Sequence, residues 1–364
     1  MTAAAPRSNV TEPLRPARLT LGWLLAGLAA VVVAALAGLA LGPVRLNPLA
    51  VAVQLLDLLP GVHLHSGLSE REASIVTELR LPRVCLGLLV GAMLALAGGT
   101  YQGVFRNPLA DPYLLGVAAG AGLGATAAIA LAGAFDSVAA VGGPGTPVGV
   151  PLAAFAGALV AVGLTYALGA SGGRYRTPAT LILAGVAVST FLTAGQLFLQ
   201  QRYVDTIRQV YSWIMGRLAV AGWHDVLLTV PYVVVAGAVI VAHGRQLDVL
   251  SVGDEEARSL GANPARTRYL LILVASLGTA AAVSVSGLIG FVGLVVPHTV
   301  RLLVGVTYRV ILPMSMLFGA AFLALADLAG RTLLAPAEIP IGVVTAFLGA
   351  PFFVVVLRTS RRVG

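Results

Sequence analysis

Lysine is missing from this sequence: all 23 basic residues among the 364 are arginine. A Walker A loop needs its lysine on the nucleotide phosphates, so the chain holds no P-loop ATPase site of its own. Cysteine is nearly as scarce. Cys85 stands alone, which excludes an internal disulfide framework and a thiolate-built metal centre. Charged residues make up only 10% of the chain against 58% hydrophobic, with 43 glycines. A water-soluble domain needs far more polar surface, so these proportions describe a polytopic membrane protein. The net charge of +8 does not point to nucleic acid, because the arginines lie scattered beside apolar runs rather than clustered on one segment.

The apolar runs give the layout. Arg7, Arg15 and Arg18 precede a run over 19–41 that is too long for a signal core and lacks a cleavage pattern, so it is expected to remain as a first span. Between Arg45 and Glu78 the chain is mixed, and NPLAVAVQLLDLL is too short to cross; it is expected to lie on the outer surface. His63 and His65 stand at i, i+2 without a third ligand, and no metal site is assigned to them. Further runs cover 84–105, 114–134, 149–170, 179–199, 226–243, 269–306, 311–330 and 341–357. The run 269–306 is too long for one crossing and carries Ser284, Ser286, Gly287 and Gly290 near its middle. Two spans joined there by a tight turn bring the total to about ten.

The expected fold is therefore an all-α polytopic membrane protein: a cytoplasmic tail 1–18, a transmembrane domain 19–357 and a second cytoplasmic tail 358–364. On this layout most arginines, Arg106, Arg258, Arg268, Arg301 and Arg358 among them, fall on the side of the termini, as the positive-inside rule requires of the cytoplasm. Glycines at small-xxx-small spacing (Gly87 and Gly91; Gly116, Gly120 and Gly124) read as helix-packing positions. Gly120, Gly122 and Gly124 are no dinucleotide fingerprint, since no soluble strand-turn-helix unit surrounds them.

One island of charge interrupts the apolar chain: LDVLSVGDEEARSLGANPARTR, residues 247–268. Asp254, Glu255 and Glu256 suit the first turn of a short helix, where carboxylates meet the positive end of the dipole. Arg258 stands four residues beyond Asp254, at pairing distance on a helix, and Gly261 supplies a left-handed stop. Asn263 then caps a second start with Pro264 at its first position. A solvated loop explains such a cluster as well as a coupling hairpin does.

The apolar segment beyond the island separates the two. GDEEARSLGAN with GLIGFVGLVVPHTVR resembles the membrane permease subunits of bacterial ABC importers for iron chelates, haem and vitamin B12. Three further blocks resemble the same family in the same order: LRLPR leading into GAMLALAGGTYQGVFRNPLADPYLLGVAAGAG, then TPATLILAGVA from Thr177, then ADLAGRTLLAPAEIPIGVVTAFLGAP from Ala326. The likeness runs from about Glu78 to Val356.

The resemblance implies a transport subunit without catalytic residues, working as a homodimer or with a close paralogue. Two ATP-binding-cassette ATPase subunits would carry the ATP and Mg2+, this chain binding no cofactor, and a periplasmic or lipid-anchored substrate-binding protein would deliver cargo. Gly253, Asp254, Glu255, Glu256, Arg258, Leu260 and Gly261 would then form the contact with the ATPase. Arg80, Arg83 and Arg331 would dock the binding protein, with snorkelling to the interface as the plainer account. Thr177, Pro178, Ala179 and Thr180 would form an inner gate; Pro178 and Ala179 stand where some relatives carry small hydroxyl residues, which leaves steric closure. Trp213 and Trp223 read as aromatic-belt anchors.

An ion-coupled secondary transporter is the alternative of another class. It requires ionisable groups within the membrane, and the candidates are His298 and Asp327. Both have plainer explanations: His298 falls near the cytoplasmic end of its run, and Asp327 stands at i, i+4 from Arg331. No residue discriminates the cargo. A ferric siderophore or haem is the expectation, cobalamin the alternative, with an inner-membrane location and both termini in the cytoplasm.

Overall fold

The computed structural model describes residues 19–58, 60–61, 63–131, 149–170, 178–216 and 218–360. Among them every regular element is helical. Helix α1 (Leu21–Ala40) is followed by α2 (Pro48–Asp57), the short α3 (Glu70–Ser74) and a π-helical turn, Ile75–Arg80, that runs into α4 (Leu81–Phe105). Then come α5 (Val117–Ala130), α6 (Gly149–Ala170), α7 (Pro178–Arg202), α8 (Ile207–Ile214) and α9 (Trp223–Ala242). The chain closes with α10 (Gly244–Val252), α11 (Asp254–Ser259), α12 (Pro264–Ser286), α13 (Val292–Val304), α14 (Tyr308–Thr332) and α15 (Ile341–Ser360).

Seven of the described helices have the length and apolarity to cross a membrane: α1, α4 with its leading turns, α6, α7, α9, α12 and α14. Helices α5, α13 and α15 occupy the remaining three apolar runs. The short α2 accounts for NPLAVAVQLLDLL as a non-crossing helix capped by Asn47.

Helix α4 is the hub, with every residue from Val90 to Phe105 buried. Such packing needs small residues where backbones meet, because apolar side chains gain little by leaving lipid for one another. A Cβ on Gly98 would stand 1.8 Å from the Gly293 carbonyl oxygen of α13, and one on Gly120 of α5 would stand 2.2 Å from that of Gly157 in α6. The glycine spacing read from the sequence is thus helix contact. Helix α14 runs parallel to α1, with Gly27 against Leu317 and Met314 and Gly38 against Arg331.

The run 269–306 divides into two helices with a turn near its middle, as expected, and the second of them is short. Helix α12 stops at Ser286, Gly287 takes φ 72°, and Phe291 adopts a left-handed φ of 68° before α13 begins. Gly293 lies beside Leu94 and Gly98, the middle of α4, so α13 starts within the bundle. Its 13 residues rise about 20 Å, short of the roughly 30 Å of a hydrocarbon core. The irregular backbone at this depth is covered by protein: Tyr113, ahead of α5, donates from Oη to the Ile289 carbonyl at 2.9 Å and accepts from its N–H at 3.2 Å. Buried backbone outside a helix is tolerated in a membrane only with such partners.

These contacts give the bundle two polar ends. At the hairpin end stand Arg106, α10 and α11, the starts of α12 and α14, the first described turn of α1 and the last of α15. At the arginine end stand Arg80, Arg83, Arg331 and the end of α1.

Candidate functional sites at the two ends

The hairpin forms as its sequence dictates. Gly253, at φ 155° and ψ 158°, takes a conformation confined in practice to glycine and breaks α10 from α11. Asp254, Glu255 and Glu256 fill the first turn of α11, and Gly261 ends it at φ 81°. Asn263 Oδ1 then accepts from Arg266 N at 3.1 Å, with Pro264 at the first position. That cap opens the spanning helix α12 itself, so four residues, Leu260 to Asn263, join α11 to a membrane helix. The expected second short helix is its first turn.

Local pairing of Asp254 with Arg258 does not occur. Asp254 instead accepts two 2.6 Å hydrogen bonds from Arg268 and one from Arg106, which closes α4. Those bonds, Arg268 first, pull its carboxyl down to about 2. Glu255, Glu256, Arg258 and Ser259 are exposed, and Leu260 is 70% exposed, a large apolar side chain presented among charges. Ala257, Leu247 and Leu250 are buried and hold the hairpin on the bundle.

At the other end, two of the three arginines expected to dock a binding protein are buried in the bundle. Arg80 is 6% exposed and Arg331 4%. Their guanidiniums close the C-terminus of α1, where four carbonyls lack helical partners. Leu41 N–H takes the Ala37 oxygen, and Arg331 donates to that of Gly38. Arg80 donates to Leu39 at 2.6 Å and to Ala40 at 3.2 Å, and also to Val44. Every orphan acceptor is satisfied, and cations at this end also suit the helix dipole. Neither arginine snorkels. Arg83 is the more accessible member: it binds Asp327 at 2.8 Å and Glu338 at 3.0 Å, the latter 38% exposed. Arg331 reaches Asp327 at 3.7 Å, so the i, i+4 pair exists but is the weaker of the two.

A cavity of about 600 Å³ opens beside this cluster, lined among others by Arg83, Arg208, Ser212, Trp213 and Glu338. Trp213 is buried and its indole N–H lacks a partner, so it is no interfacial anchor. Trp223 does lie at the surface, donating to the Thr77 carbonyl at 3.1 Å. Of the gate residues, Thr177 lies outside the described residues; Pro178 opens α7 at the hairpin end, with Ala179 exposed and Thr180 half-buried. His298 packs edge-on to Phe352, ring centres 6.0 Å apart. Asp248, which no sequence motif singles out, accepts from the Tyr308 N–H at 2.5 Å and from Arg309 Nε at 3.0 Å.

An apolar bundle of span-length helices, glycine-packed around α4 and carrying charge mainly at its two ends, is the build of an integral membrane permease. The chain belongs to the FecCD transport family, which matches residues 29–359. It is 48% identical over 295 residues to the cobalamin import system permease protein BtuC of Halobacterium salinarum, covering 81% of this chain and 76% of that one. It is 39% identical over 294 residues to the Fe(3+)-citrate import system permease protein YfmD of Bacillus subtilis, covering 80% and 83%. A solved structure described as an inward-facing conformation of a metal-chelate type ABC transporter superposes with a TM-score of 0.79 at 28% identity, over 93% of this chain and 100% of the other. The chain is thus an ABC importer permease, a transport subunit rather than an enzyme.

Proposed function

We propose that the chain forms half of a permease dimer, with itself or a close paralogue, that passes a metal chelate across the plasma membrane toward the cytoplasm. The hairpin end faces the cytoplasm with both termini, as the arginine distribution favours. Two ATPase subunits, which hold the ATP and Mg2+, grip the exposed Glu255, Glu256, Arg258 and Leu260. A substrate-binding protein docks at the opposite end on Arg83 and Glu338, while Arg80 and Arg331 support that surface from beneath. Ala179 and Thr180 narrow the path at the cytoplasmic entry of α7 by bulk alone.

The observation that carries this reading is the four-residue link between α11 and α12. A soluble partner that moves the hairpin moves a membrane helix. Among metal chelates, the relative at 48% identity favours cobalamin and the one at 39% a ferric chelate. The test is uptake into vesicles holding the permease, its ATPase and its binding protein, supplied with labelled cobalamin or ferric citrate. ATP-dependent uptake of one of them, unaffected when the proton gradient is collapsed, is expected. Uptake that follows the gradient without ATP would replace the reading with an ion-coupled one.

A further inference from the structure

The hairpin does not merely lie against the bundle; it is tied to three membrane helices through two aspartates on either side of Gly253. Asp254 faces α4 and α12: Arg268 donates to it through both terminal nitrogens at 2.6 Å, and Arg106 donates a third bond. Arg106 is itself fixed, since its Nε donates to the Leu250 carbonyl of α10 at 2.8 Å and its backbone is left-handed at φ 48°. Asp248 faces α14. It takes the Tyr308 N–H, one of the orphan donors of that helix start, at 2.5 Å, and Arg309 Nε at 3.0 Å. Next to it, Arg301 of α13 donates to Gln102 of α4 and to the Tyr308 hydroxyl, both at 3.3 Å. Both carboxylates are turned toward the bundle, while Glu255, Glu256 and Arg258 are turned to solvent.

We infer that Asp248 and Asp254 are positioning residues for transport: they make the hairpin a rigid lever on α4, α12 and α14, and they are not contacts to the ATPase. This rests on the coupling role proposed for the hairpin. A bidentate arginine–carboxylate pair fixes orientation as well as distance, which a point contact does not. With one pin on each side of the glycine break, a push on α11 reaches α12 through Arg268 and α4 through Arg106, and a push on α10 reaches α14 through Tyr308. Without the pins, the push is absorbed at Gly253.

The test separates grip from transmission in the assembled permease–ATPase complex in nanodiscs and vesicles. Asp254→Asn and Asp248→Asn are each compared with Glu256→Lys on the exposed face. The aspartate variants are expected to retain the ATPase within about threefold of wild type while cargo moved per ATP falls about tenfold. Glu256→Lys is expected to lose the ATPase. A spin label at position 259, in a background with Cys85 replaced by serine, reads the lever in the permease alone. It should gain mobility in the aspartate variants and stay rigid in Glu256→Lys. If an aspartate variant fails to fold, Arg268→Gln and Arg309→Gln remove the partner from the membrane-helix side and should give the same uncoupling. Loss of the ATPase equal to that of Glu256→Lys, or unchanged cargo per ATP with a mobile label, overturns the inference. Should wild type itself show no ATP-driven uptake, the proposed function falls, and the label still reports whether the pins hold.

Discussion

At the arginine end Asp327 is 4% exposed between Arg83 and Arg331, whereas at the hairpin end Asp254 keeps a third of its side chain in water between Arg106 and Arg268. The ingredients match and the consequences differ. A buried carboxylate among guanidiniums has given up its hydration, so removing one partner strands another charge. An exposed one trades its partners against water at small cost. The first arrangement suits a part of the molecule that holds its shape, the second a part that is gripped and moved. The arginine end adds to its ion pairs the bonds of Arg80 and Arg331 to the carbonyls that end α1, whereas the hairpin end is tied by partly exposed ion pairs and by single backbone bonds at Leu250 and Tyr308.

Breaking the buried cluster should have the largest effect. Asp327→Ala leaves the buried Arg331 without a carboxylate and Arg83 with Glu338 alone, and is expected to lower stability by about 3–5 kcal/mol, seen as loss of folded protein in thermal unfolding in detergent. Arg80→Ala comes next. It opens the carbonyl of Leu39, leaves that of Ala40 with the Leu46 N–H alone, and should cost about 1–3 kcal/mol, with faster amide exchange in the last turn of α1.

Smaller still is acid. The carboxyl of Asp254 is depressed to about 2 from a reference near 3.9, so its contribution is complete above pH 4 and fades as pH falls toward 2. A spin label at 259 should therefore stay rigid from pH 7 to about 4 and loosen below; loosening at pH 6 would remove Asp254 as the pin. Last, Glu255→Gln should leave stability within about 0.5 kcal/mol, since it is a surface change, while weakening ATPase retention. An equal loss of stability there would erase the contrast between the ends.

How much of this the sequence discloses depends on the range of the interaction. The cap at Asn263, the stop at Gly261 and the acidic first turn of α11 act within four residues, and all appear in the structure as the sequence implies. The apolar runs likewise disclose nearly every membrane helix, because the period of burial is written along the chain. The partners of the arginines are not written there. Arg83 meets Asp327 at a separation of 244 residues, and Arg80 meets backbone carbonyls, which leave no trace in any side chain. Asp248 escapes notice because its main bond is to a backbone N–H 60 residues away. The shortening of α13 is hidden too, since apolar composition is the same whether a segment crosses fully or starts halfway on the backbone of α4.

The closing of α1 by distant arginines bears on the order in which the protein is made. Its last turn is synthesised with open carbonyls; the guanidinium that takes Leu39 comes 41 residues later and the one that takes Gly38 comes 293 residues later. Until then those oxygens are content only in water or among headgroups, so a nascent α1 is held with its end at the interface and is free to shift. The emergence of α4 fixes its depth, and the arrival of α14, late in translation, fixes its place in the bundle. A chain stalled before residue 331 would have every earlier helix inserted and its first helix still unfinished.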